Sequence, residues 1–137
     1  MGKFTYEMPD DFVAQLEKLD NYDFIAKMML DTVAPLLVDS LKHEIRRFDE
    51  YSQDGSLFNS ITASKAKKNQ YGHYVSVGPK KGSKNKRGVR NGEVLAYLEY
   101  GTSKMTAKPV IAIANNAVEN RVKALLLEIF NEEVGAK

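Results

Sequence analysis

The chain has 137 residues, 43% of them hydrophobic and 28% charged, with a formal net charge of +2, values that fit one globular domain around one core. It has no cysteine, which excludes disulfides, thiol nucleophiles and cysteine-ligated zinc and suits a reducing compartment. No stretch reaches the roughly 18 apolar residues of a membrane span, and the opening residues lack both a secretory apolar run and the serine or threonine of a myristoylation signal, so no membrane partner is expected.

The charge is unevenly spread. Between Gly55 and Gly92 there are nine Lys or Arg and no Asp or Glu, leaving the rest of the chain at net −7. A basic island in an acidic body signals a polyanionic partner, nucleic acid or an acidic protein surface.

Residues 1–8 are expected to be flexible. Pro9, Asp10 and Asp11 suit a helix's first turn, and Phe12, Leu16 and Leu19 share one face, predicting a short helix over 9–19 that must dock to be stable. A second helix is expected over 22–50, with Asp20 or Asn21 as its cap. Ile25, Met29, Val33, Leu37, Leu41, Ile45 and Phe48 form its stripe, and Pro35 predicts a kink or a junction of two shorter helices. Asp54-Gly55 is a turn signal, and Ser56, Leu57, Phe58 and Ile61 suggest a short turn or one helical loop anchored by apolar residues after it.

The period then changes from 3.6 to 2. Residues 61–70 and 71–78 read as two antiparallel strands joined near Asn69-Gln70, with Tyr71, His73, Val75 and Val77 on one face. The segment 79–92 carries six cations, Lys80, Lys81, Lys84, Lys86, Arg87 and Arg90, with Val89 its one large apolar residue. It reads as a long mobile basic loop, either a solvated insertion or an arm that orders on a nucleic-acid backbone or an acidic neighbour. Residues 93–100 suit a helix or a strand; the helix is favoured because Gly101 is its natural stop. Pro109 then opens a long final helix with the stripe Val110, Ile113, Ala117, Val118, Val122, Leu125 and Ile129, ended by Gly135. The fold class is α+β: long helices packed on a small antiparallel β-sheet, in a single domain.

No site chemistry stands out. His43, between Lys42 and Glu44, reads as exposed, and His73 as a structural, partly buried histidine; neither has a second ligand at metal spacing. No nucleophile–base pair is evident. The segment GPKKGSKN differs from a phosphate loop, since Gly78 and Gly82 enclose only three residues and Lys84 precedes Asn85. No catalytic residue, metal or cofactor is expected. Glu99, among Tyr97, Leu98 and Tyr100, is exposed on the polar face, bonded to the chain turning at Gly101-Thr102, or paired with a Lys or Arg.

Two segments carry a family resemblance. DGSLFNSI resembles a Thr-Gly-x-Leu-x-x-Ser-Ile signature after a long helix; Gly55, Leu57, Ser60 and Ile61 match it. LAYLEYGTSKMTAKPVIAIA resembles a later signature matched by Glu99, Tyr100, Gly101, Thr102 and Pro109. Together, in this order, they resemble the tail-completion (tail-to-head joining) proteins of long-tailed double-stranded DNA bacteriophages and prophages. Asp54 stands where Thr is usual, Phe58 where a basic residue is common, and Val110 where an aromatic often follows the proline. The resemblance implies a non-enzymatic virion protein of the neck, assembled in the bacterial host cytoplasm. Its partners would be copies of itself, monomeric in solution or a ring, usually a hexamer, when assembled, with the tail-tube protein, the head connector and the passing double-stranded DNA. On that view the Tyr-Gly-Thr corner is architectural and turns the chain from the sheet layer into the final helix. The other functional class left open is a nucleic-acid-binding module using the basic hairpin and loop.

Overall fold

The computed structural model describes residues 3–47, 55–70, 72–104 and 106–135. Its elements in chain order are β1 (Phe4–Glu7), α1 (Asp10–Leu16), α2 (Tyr22–Arg46), α3 (Ser56–Ser60), β2 (Ile61–Ala63), β3 (Lys67–Asn69), β4 (Gly72–Pro79), α4 (Asn91–Tyr100) and α5 (Val110–Phe130), with a π-type turn at Asn131–Gly135. The fold is α+β.

Helix α2 forms the spine. Ile25, Met29, Val33, Leu37, Leu41 and Ile45 are all buried, and the helix is assigned continuously through Pro35 rather than as two pieces. Asn21 is its N-cap position, without a side-chain cap bond. Phe48, and the expected end of the helix near Glu50, lie outside the described residues. Glu44 is a surprise at 3% exposure: Leu41 and Ile45 carry the core contact around to its side of the helix, and its carboxylate pairs with Arg47 at 3.0 Å. His43 beside it is exposed, as expected.

Helix α5 packs along α2 with Val110, Ala114, Val118, Val122, Leu126, Ile129 and Phe130 inward, and the Ser40 hydroxyl donates to the Ala114 carbonyl at 2.8 Å between them. The expected stripe is therefore rotated: Ile113 and Ala117 face outward and Leu125 is half-buried. Small apolar residues on both sides of this helix leave two stripes open to sequence reading. The helix adopts the one with strict i, i+4 spacing from Val110 to Leu126, which keeps its branched side chains on α2. Helix α1 docks as expected, burying Phe12 and Leu16, with the Phe12 and Phe130 ring centroids 5.7 Å apart.

The sheet corrects two expectations. Residues 1–8 are not flexible throughout, because Phe4–Glu7 pairs antiparallel with β4, Phe4 opposite Val77 and Glu7 opposite Tyr74. The central strand has an edge to offer, and Phe4 and Tyr6 alternate inward to fill it. The second correction concerns 61–70, which is two strands rather than one. Both β2 and β3 pair with β4, but the register slips by one residue between Ala63↔Val77 and Lys67↔Tyr74. This is a β-bulge. Its freed groups are satisfied locally: Ser64 Oγ accepts from the Ser76 amide at 3.1 Å and Asp31 Oδ1 accepts from the Ala66 amide at 2.7 Å. On β4, His73, Val75 and Val77 face inward as expected, while Tyr71 lies outside the described residues.

Candidate functional site

The Tyr-Gly-Thr corner joins α4 to α5, helix to helix, and not the sheet to α5. Residues 93–100 are helical, as favoured. Gly101 follows with φ 77° and ψ 176°, a backbone region that only glycine enters without strain. Its amide donates to the Tyr97 carbonyl at 2.8 Å, and the Lys108 amide donates to the Leu98 carbonyl at 2.6 Å. Two carbonyls at the end of α4, orphaned by the helix geometry, are thereby bonded.

The start of α5 has the opposite need. Pro109 is the N-cap position, one residue earlier than the first helical turn expected for it, and a proline side chain caps nothing. Glu99 fills the gap: its Oε1 accepts from the Ile111 amide at 2.7 Å. Of the sequence readings of Glu99, a backbone hydrogen bond is what the structure shows, though not at Gly101-Thr102. The partner lies past the corner, at the second residue of the next helix. Its negative charge also sits at the positive end of the α5 dipole. Thr102 Oγ1 accepts from the Lys104 amide at 3.2 Å and shapes the turn. Tyr100 contributes no burial; it is 80% exposed.

The other motif is equally structural. Gly55, at φ 71°, opens α3; Leu57 and Ile61 are buried, and Ser60 Oγ donates to the Leu57 carbonyl at 2.7 Å. Phe58 lies under the cations of Lys42 and Arg46, 5.1 and 4.4 Å from its ring centroid.

The basic loop follows β4, and it is hydrogen-bonded rather than shapeless. The Lys80 amide donates to the Ser60 carbonyl at 2.7 Å, and Lys84 and Arg90 form an antiparallel bridge. Asn85 folds the tip: its Oδ1 accepts from the amides of Arg87 at 2.9 Å and Val89 at 3.0 Å. At the base Asn91 is 1% exposed, and its Nδ2 donates to Ser56 Oγ at 3.0 Å and Ser83 Oγ at 3.1 Å. The expectation of a loop without structure overlooked these side-chain amides, which substitute for an apolar core. All six cations point outward. The structure thus brings the first motif against the base of the loop, through Ser56 and Asn91, and leaves the corner on the other end of α4.

Comparison with protein-family models, curated proteins and solved structures returns no match.

His73 is the remaining titratable feature. Its Nε2 lies 2.7 Å from Asp23 Oδ1, and its ring meets the Tyr22 ring edge-on at 5.9 Å. The hydrogen bond from His73, followed by that from Lys27, holds the Asp23 carboxyl below the usual carboxylate range. Lys68 donates to the Tyr22 hydroxyl at 2.8 Å, which raises its ammonium above the usual range. A cavity of about 260 Å³ lies beside this cluster, with Glu17, Lys68 and His73 in its wall and no serine, threonine or cysteine among its described residues. Chemically the cluster fastens β3 and β4 to the start of α2. Among the described residues no three His, Asp or Glu converge as a metal-binding set.

Proposed function

We propose that this chain is a non-enzymatic building block, a ring-forming tail-completion subunit that joins the tail of a long-tailed phage or prophage to its head. The observation that carries the reading is the Glu99–Ile111 bracket across Gly101. Of the residues that make the resemblance, Glu99 and Gly101 bond the end of one helix to the start of the next, and Gly55, Leu57, Ser60 and Ile61 build the turn at α3. A rigid bracket of this kind suits a subunit that must present the same surfaces in every copy of a ring. Tyr97 and Tyr100 on α4 and Ile113 on α5 are large exposed side chains flanking this corner in sequence. They supply the aromatic and apolar surface that subunit contacts use.

The test is assembly. The purified chain is followed by light scattering over a wide concentration range and mixed with tail tubes assembled from the tail-tube protein of the same genome. Electron micrographs are expected to show rings, and rings capping one end of each tube. A chain that stays monomeric at every concentration and leaves tube ends bare would refute the reading. Portal, capsid and tail-tube genes beside its own would add independent support.

A further inference from the structure

We infer that the 80–90 loop, together with the groove at its base, binds the phosphate backbone of duplex DNA. The segment from Gly55 to Gly92 holds nine Lys or Arg and no carboxylate. Six of those cations sit on the loop, all exposed, and among the described residues no ion pair engages Lys80, Lys81, Lys84 or Arg90. The loop is held in shape by Asn85 and Asn91, so its charges are presented on a bonded frame.

The groove at the base has a volume of about 600 Å³ and is lined by Ser56, Asn59, Ser60, Thr62, Lys80 and Ser83 among others. The hydroxyl protons of Ser56, Ser60 and Ser83 are directed at the carbonyls of Lys84, Leu57 and Lys80. Asn59 and Thr62 carry no such commitment among the described residues. Their amide and hydroxyl, with the Lys80 ammonium, are donors of the kind that position a sugar–phosphate chain.

The choice between DNA and an acidic protein follows from what the loop lacks. Interfaces between proteins centre on apolar and aromatic side chains and deplete charge there. This loop has one large apolar residue, Val89, and it is half-buried already. Phosphate recognition needs only cations and polar donors.

The experiment is fluorescence anisotropy of a labelled duplex of arbitrary sequence with the full chain, titrated at several salt concentrations. Six neutralised phosphates give a log–log slope of about −5 and a loss of affinity of roughly 10³-fold between about 50 and 200 mM salt. A variant carrying Lys80→Ser, Lys81→Ser, Lys84→Ser, Lys86→Ser, Arg87→Ser and Arg90→Ser is expected to keep its circular dichroism spectrum and lose the slope. Asn59→Ala with Thr62→Val is expected to weaken binding about tenfold with the slope intact, since it removes neutral donors only. No binding by the unaltered chain at low salt overturns the inference, as does an unchanged slope in the six-fold variant. Salt-sensitive self-association that DNA does not compete with would assign the loop to a neighbouring subunit instead. The inference does not rest on the ring-forming reading: rings without DNA affinity sink the first and spare the second, and DNA affinity without rings does the reverse.

Discussion

Replacing Glu99 tests the corner most directly. In Glu99→Ala the Ile111 amide loses the carboxylate 2.7 Å away in a partly buried position. The helix offers no substitute, because Pro109 at the N-cap makes no side-chain bond. A hydrogen bond to a charged group contributes about 1.5–3 kcal/mol, and the orphaned donor accounts for much of that. The favourable charge–dipole interaction, about 0.3–1 kcal/mol, goes with it. We therefore expect Glu99→Ala to lose about 2–3 kcal/mol. Glu99→Gln keeps an acceptor oxygen and loses the charge, so it should lose only about 1 kcal/mol. Urea denaturation followed by circular dichroism measures both, with the slope of free energy against urea checked for constancy. Glutamine and alanine variants of equal, lowered stability would show that only the charge acts and that the acceptor oxygen does not cap Ile111. A stable alanine variant would show that water satisfies Ile111 without help.

Two further outcomes follow from the geometry. Gly101→Val should lose about 1–3 kcal/mol, because φ 77° with ψ 176° strains any residue with a Cβ; an unchanged melting temperature would show that the corner relaxes to another backbone shape. At acid pH, Asp23 is the group to watch. Its folded carboxyl is held below the unfolded value by His73 and Lys27, so its stabilisation is complete above the ordinary carboxylate range near pH ~4 and fades as pH falls through the folded value. Asp23→Asn should accordingly be less stable than the unaltered chain at neutral pH, with the gap closing below pH ~4 in a series of thermal melts; a gap that persists unchanged into acid would exclude Asp23 as its source.

How much of this was legible in the sequence depends on where each cause lies. The stripe of α2 could be read directly, since Ile25, Met29, Val33, Leu37, Leu41 and Ile45 repeat strictly and end inside. The stop of α4 at Gly101 was legible as well, from the glycine itself. Strand β1 was not, because four residues with two inward side chains make no pattern until β4 offers them an edge. The phase of α5 was ambiguous, as apolar residues line more than one side of it. Asn91 gave no signal at all: a polar residue after a basic run reads as exposed, and its burial is set by Ser56, far back in the chain. Glu99 showed as an oddity, but its partner could be named only once α5 was in place.

The loop separates two properties that most surfaces mix. Its shape is written in Asn85, Asn91, Ser83 and the bridge between the Lys84 and Arg90 backbones, none of which requires a charged side chain. Its charge is written in outward side chains, and those of Lys80, Lys81, Lys84 and Arg90 take part in none of those shaping bonds. Charge can therefore be dialled one residue at a time on a constant frame. For an evolving lineage this means the strength of attraction can drift without passing through misfolded intermediates. For an experimenter it means that Lys80, Lys81, Lys84 and Arg90 offer a graded set of variants that change charge and leave those bonds in place.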